Sequence, residues 1–308
     1  MALHGLILVN KPTGITSHDV VSRARRILHT RDVGHTGTLD PLASGLMVLL
    51  VGEATKLSDY ILNGDKSYRV KVKLGVRTDS LDMTGQVLKL EDVKLERSQI
   101  EEAALSLQGE FDWPVPLFSA VKKDGKKMYE YAHKDQTPDF IPTRKMKFWG
   151  VHVFSIEPAA IEAHLSCSKG SYIRAWASQL GEKLGVGGAI EVLERTISAP
   201  YELTNAMMLE EMQDSTESPD LWPAFIPVSK ALPTWRTLTV RGKDEKLIHN
   251  GQISYDLERR LIAEQKQAFS EQNTVGVKIL SASTGNLLAI LEAQLNRGLK
   301  IRRVFKIT

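Results

Sequence analysis

The sequence predicts an α+β protein: a mixed, largely antiparallel sheet with flanking helices, followed by a small β-rich C-terminal unit. Three observations carry that reading. The first is strict alternation of apolar and polar residues over 68–76 and again over 161–167. Such strands have one solvated face, which favours an antiparallel or mixed sheet over an all-parallel one. The second is a set of amphipathic helical stripes between these strands. The third is a change of character after an acidic stretch, which holds Glu210, Glu211, Asp214, Glu217 and Asp220. Beyond Pro223, Pro227 and Pro233, the runs 275–279, 287–291 and 303–307 read as short strands joined by turns. A first domain is therefore expected over 1–231, carrying a basic insertion at about 115–147, and a second over 232–308.

In chain order, Leu6-Ile-Leu-Val9 is a short apolar run closed by Asn10-Lys11-Pro12, the mark of a buried strand. A helix follows over 17–28, with Val20, Val21, Ala24, Ile27 and Leu28 on one face and Thr16 or Ser17 able to cap it. Gly34-His-Thr-Gly-Thr-Leu-Asp-Pro-Leu-Ala-Ser-Gly45 has three glycines and one proline in twelve residues, so its backbone is tightly shaped and its side chains are few and polar. Pro41 keeps Asp40 extended, with its carboxylate free of helix geometry. Two readings of Asp40 stand side by side: a functional carboxylate, or a plain cap on a short turn beginning at Pro41. Over 68–76, Tyr68, Val70, Val72, Leu74 and Val76 share one face, and Arg69, Lys71 and Lys73 the other. Tyr68 is a structural tyrosine by default, yet as the first residue of its strand it could stack on a base at a pocket edge.

Ser98-Gln-Ile-Glu101 reads as a capping box opening a helix that Gly109 closes. Lys123-Asp-Gly-Lys126 reads as a tight hairpin turn between lysine-bearing arms. Ser168-Lys-Gly-Ser-Tyr-Ile-Arg174 joins a strand to a helix striped by Ile173, Trp176, Ala177, Leu180 and Leu184, with Gly185 as its stop. Ser171 is the expected cap there. Lys169 and Arg174 flank the positive helix end, which suits a phosphate or carboxylate and equally suits an ordinary cap with two surface cations.

Composition removes several classes. The 308 residues are 42% hydrophobic and 25% charged, ordinary for a folded chain with a substantial core. The single cysteine, Cys167, cannot form an internal disulfide. The longest apolar run, 46–51, is far short of the roughly 20 residues that span a bilayer. No basic leader is visible, so a cytoplasmic protein without a membrane partner is expected. His164 and Cys167 lie three apart on a strand and face opposite ways, so a metal site is not expected. Walker A, G-x-G-x-x-G and G-x-S-x-G patterns are absent from the sequence, so neither a nucleotide cofactor nor any other cofactor is expected. The net charge of +3 says little, but its distribution says more. Residues 119–150 hold eight Lys/Arg against four acids, and 297–306 hold five and none. Segregated basic patches suit a polyanion, although solvated faces give similar counts.

The stretch 34–45 resembles the catalytic motif of the TruB-type tRNA pseudouridine-55 synthases. Further agreement lies in Val9-Asn-Lys-Pro-Thr-Gly-Ile-Thr-Ser17, Gly52-Glu-Ala-Thr-Lys56, Asp65-Lys-Ser-Tyr-Arg-Val70, Gly75-Val-Arg-Thr-Asp79 with Asp82, Ser119-Ala-Val-Lys122 with Gly125, Tyr129-Glu-Tyr-Ala132 and Cys167-Ser-Lys-Gly-Ser-Tyr-Ile-Arg174. These motifs, in order, cover most of the first 200 residues; the tail only loosely resembles a PUA-type RNA-binding domain. The resemblance implies the pseudouridine synthase fold and the isomerisation of a uridine in the tRNA T-loop by base flipping, with no cofactor. It gives Asp40 the catalytic role and makes Arg174 its cationic partner. Tyr68 would stack on the base and help proton removal at C5, and Asp82 and Tyr172 would line the pocket. His35 would stand against the loop where the flipped base leaves a gap. Lys11, Lys122, Lys126, Lys127 and Lys169 are expected along the RNA backbone. The expected partner is the tRNA T-arm or elbow, met by a monomer. Two alternatives stand beside this reading: a non-catalytic protein that grips or refolds the elbow, and a synthase acting on another RNA.

Overall fold

The computed structural model describes residues 2–119, 121–123, 126–132, 140–265, 274–294 and 298–307. Its first strands are β1 (Gly5–Lys11), β2 (Val33–His35), β3 (Ser44–Val51) and β4 (Lys66–Leu74), with helices α1 (Ser17–Ile27) and α2 (Ser58–Leu62) between them. A small hairpin of β5 (Val76–Thr78) and β6 (Val87–Leu90) precedes α3 (Arg97–Ser106) and β7 (Gly109–Pro114). The basic segment forms β8 (Lys122–Lys123), β9 (Lys126–Lys127) and α4 (Met128–Ala132). Long strands β10 (Thr143–Glu157) and β11 (Ala160–Cys167) lead into α5 (Ile173–Leu184) and β12 (Gly188–Ser198). Short pieces follow: β13 (Tyr201–Glu202), β14 (Met207–Met208), α6 (Leu209–Asp214) and β15 (Phe225–Pro227). The main sheet runs β14-β1-β3-β12-β4-β11-β10-β7, with β2, β13 and β15 paired alongside. It is mixed and mostly antiparallel, as expected; β12 runs parallel to β3, and β1 parallel to β14.

The sheet is buried on both faces where β1 and β3 cross it. Ile7, Val9, Met47, Leu49 and Val51 pack on the side of α1, α3 and α5. Their alternates Leu6, Leu8, Leu46, Val48 and Leu50 pack on the other side, against Leu287, Ile290 and Phe305 of the C-terminal region. Hence β3 reads as an unbroken apolar run, whereas β4 and β11, solvated on one side, alternate. The C-terminal region forms its own four-stranded sheet, β16 (Arg236–Val240), β17 (Thr274–Ser281), β18 (Leu287–Gln294) and β19 (Gly298–Val304), in that order, with α7 (Lys243–His249) and α8 (Tyr255–Gln265).

Local details depart from the sequence reading in five places. Gly75, at φ 79°, breaks the alternating strand, so Val76 begins a new strand rather than completing the face. The capping box of α3 is Glu96 with Gln99, two residues before the expected serine. Ser171 does not cap α5; its Oγ accepts from Lys147 N at 3.2 Å, and Tyr172 occupies the cap position. The last strand ends at Val304, so 303–307 is mostly not a strand. Strand β4 begins at Lys66, so Tyr68 is its third residue and not its first; Thr16 caps α1 and Gly185, in the left-handed region, ends α5, both as expected.

Candidate active site

The stretch 34–45 is pinned from several sides. Asp40 O accepts from Ala43 N at 3.0 Å, closing a tight turn with Pro41 inside it, and Gly14 N reaches Pro41 O at 2.8 Å. Ser17 Oγ donates to Leu39 O at 2.9 Å and accepts from Leu39 N at 2.8 Å, so the residue before Asp40 is tied to the start of α1. The Asp40 backbone makes the turn, and its carboxylate is left for another partner. The plain-cap reading therefore has no geometry to support it.

That partner is Arg174, in the first turn of α5. Arg174 Nε stands 2.9 Å from Asp40 Oδ2, and Nη2 donates to Oδ1 at 3.4 Å. The guanidinium also donates through Nη1 to Ser80 O at 3.0 Å and through Nη2 to Phe118 O at 2.8 Å. Its side chain is 6% exposed, while the Asp40 side chain is 37% exposed. The arrangement is asymmetric: a buried cation that cannot lose its proton, locked by backbone carbonyls, holds a carboxylate that solvent or substrate can still reach.

A cleft of about 670 Å³ opens over this pair. Tyr68, Leu193, Arg195, Cys167, Lys66 and Tyr172 line it with Asp40 and Arg174. Desolvation by burial is the main reason the Tyr68 phenol is pushed up to about 12, against the opposing pull of Arg195. The same cause pushes the Cys167 thiol up to about 12 and Lys66 down to about 8. Lys66 Nζ donates to Leu62 O and Gly64 O, so its charge is spent on a loop end. Among the described lining residues Asp40 is the acid, facing Lys66, Arg144, Lys169, Arg174 and Arg195. Such a surplus of positive charge suits a polyanion.

Sequence-selected residues divide into two groups. Asp40, Tyr68, Tyr172, Arg174 and Lys169 come together at the cleft; Lys169 stands on its rim, exposed, with Nζ 3.0 Å from Asn63 Oδ1. Asp82 does not line it. Its carboxylate is taken up by Ser80 Oγ, Thr84 N and Thr84 Oγ1 at 2.6–3.0 Å, so it shapes the loop whose Ser80 carbonyl holds Arg174. His35, on β2 opposite Leu49, is half-buried outside the cleft lining; burial lowers its pKa, and its Nδ1 has no hydrogen-bond partner among the described residues. Lys11 is a correction. It is fully buried, and its ammonium caps Pro12 O, Ile15 O and Pro41 O, so it braces the Asp40 turn and cannot meet an RNA backbone. Lys122 and Lys126 are exposed on the β8–β9 hairpin; the Lys127 backbone completes it, and its turn residues 124–125 lie outside the described residues, as does position 297 of the basic tail. Arg195 and Leu193 were missed. Both fall on the inward side of β12, a placement set by its irregular register against β4 and not by a pattern in its own residues.

Residues 25–173 match the model of the TruB family pseudouridylate synthase N-terminal domain. The chain is 48% identical over 304 residues to the tRNA pseudouridine synthase B of Bdellovibrio bacteriovorus, covering 98% of this chain and 97% of that one. It is 36% identical over 251 residues to the enzyme of the same name from Clostridioides difficile, covering 81% and 83%. Among solved structures, a chain of an H/ACA ribonucleoprotein bound to a substrate RNA containing 2'-deoxyuridine matches with a TM-score of 0.69 at 20% identity, covering 99% of this chain and 86% of that one. A Cbf5-Nop10-Gar1 complex gives a TM-score of 0.68 at 20% identity, with coverage of 98% and 85%. At that identity the structural matches speak for the fold.

Proposed function

The chain belongs to the TruB family of pseudouridylate synthases, and from that premise we propose that Asp40 acts on a uridine of the tRNA T-loop, position 55, drawn out of its stack into the cleft. The protein is a tRNA pseudouridine synthase, an isomerase that converts uridine to pseudouridine. The N1–C1′ bond breaks, the uracil turns over, C5 bonds to the same C1′ and gives up its proton, and the freed N1 takes a proton up. Nothing is consumed, so the protein's task is to bind, hold charge and exclude water.

The observation that carries the proposal is the Asp40–Arg174 pair at the cleft, with the carboxylate still accessible beside Tyr68. A carboxylate serves as nucleophile or base towards the nucleoside, and Arg174 remains as its fixed counter-charge after the base has displaced water. The Tyr68 ring offers a face for the uracil, and its phenol, held protonated at neutral pH, offers a hydrogen bond rather than a standing base. Extraction of the nucleotide costs a few kcal/mol, offset by stacking in the cleft and by phosphate contacts of exposed cations such as Lys122, Lys126 and Lys169. These contacts position the RNA rather than read its sequence. A monomer working in the cytoplasm on the tRNA elbow completes the reading. The main sheet with its helices, 1–231, is assigned to catalysis, and the second sheet, 232–308, to RNA contact.

The test is tritium release from a tRNA transcript labelled at uracil C5, with a transcript carrying cytidine at position 55 as control. One product at position 55, and none on the control, is expected. Label released equally from both transcripts would remove the assigned position, and no release from either would remove the activity.

A further inference from the structure

Arg195 is an unusual residue to find inside a sheet. It is 1% exposed, and among the described residues no carboxylate lies within ion-pair distance of it. A buried charge without a counter-charge costs free energy unless its donors are well used. Here Nε donates to Leu46 O at 2.7 Å and Nη2 to Gly37 O at 3.1 Å, which anchors the guanidinium to β3 and to the Asp40 stretch. The backbone of Arg195 is held as tightly. It lies opposite Gly45 on one side, and a Cβ at Gly45 would come within 2.4 Å of Arg195 O. On the other side its cross-strand partner in the antiparallel β12–β4 pair is Tyr68. Directly opposed side chains in such a pair are near neighbours, and both line the cleft.

We propose that Arg195 is a positioning residue: anchored by two backbone carbonyls, its guanidinium fixes the place of the Tyr68 phenol beside Asp40. The inference rests on the reading of Tyr68 and Asp40 given above. Its consequence is that the cation acts on the reaction through tyrosine, not through the nucleotide. Arg195 also opposes the upward push of burial on the phenol, as expected of a cation beside that oxygen.

The experiment is single-turnover tritium release by Arg195→Gln, Tyr68→Phe and the double variant, with tRNA affinity and thermal midpoint measured on each. Arg195→Gln should lower the rate by about 100-fold while the tRNA dissociation constant moves by less than about threefold. In the Tyr68→Phe background the same substitution should cost less than about threefold, because no hydroxyl remains to be placed. Losses that multiply in the double variant overturn the inference, since Arg195 would then act independently of the phenol. Should Arg195→Gln fail to fold, Arg195→Lys answers the same question: it keeps the charge, but one ammonium cannot span two carbonyls and a phenol. A Tyr68→Phe rate equal to wild type would instead strike the reading of the cleft itself, so the two failures are distinct.

Discussion

At the scale of single residues, the site is one accessible carboxylate surrounded by groups whose own bonds are already committed. Arg174 makes four contacts of 3.4 Å or less, and two of them go to backbone carbonyls rather than to Asp40. Arg174→Lys keeps a charge but loses the fork, so single-turnover release should fall by about 100-fold with little change in tRNA affinity. Lys11 gives a different test. Burial lowers its pKa to about 8, so between pH 8 and about 10.5 the unfolded chain holds a proton that the folded chain has released. Stability against urea should therefore rise with pH across that window in the wild type and rise less in Lys11→Met. Equal slopes would mean that the ammonium is not buried as found. Lys11 and Asp82 also mark the limit of the sequence reading. A motif places a residue near a site, but only the fold decides whether its charged end points into the cleft or into the backbone that builds it. Arg195 escaped for the converse reason: next to Glu194 it reads as half of a solvated pair.

At the scale of elements, period carried most of the fold. The alternation of β4 and β11, the stripe of α5 and its Gly185 stop were visible because each has one solvated side. The β12 strand was less legible, since a register shift between Ile190 and Val192 turns Val192 outward and sets Leu193 and Arg195 inward. Such shifts depend on both strands of a pair and leave little trace in one of them. Two glycines separate local from tertiary constraint. Gly185→Ala meets only the left-handed backbone, with nothing among the described residues within 4 Å of the added carbon, and should cost about 1 kcal/mol in urea unfolding. Gly45→Ala meets that same cost and also the Arg195 backbone, so it should cost more than about 2 kcal/mol and slow catalysis as well. Equal costs would mean that β3 and β12 are not packed as closely as found.

At the scale of the whole molecule, the second sheet is part of the core and not an appendage on a string. Phe305 is fully buried among Leu6, Leu8 and Leu50, Lys56 donates to Val304 O at 2.9 Å, and Lys306 N donates to Glu53 Oε2 at 2.7 Å. Phe305→Ala should thus destabilise the protein by about 3–5 kcal/mol, a loss read from thermal or urea unfolding. The sequence marked a change of character near this junction, but the contact joins residues far apart in the chain, which no local pattern reports. The charge asymmetry of the cleft implies binding that weakens with salt, and Lys169→Ala should make the slope of log affinity against log salt shallower by about 0.7–0.9. The most direct measurement is single-turnover tritium release by Asp40→Asn under conditions where tRNA is fully bound. The variant should bind tRNA with affinity close to wild type and react more slowly by at least about 10,000-fold. Release at the wild-type rate, with the variant folded and the tRNA bound, would contradict the catalytic role of Asp40.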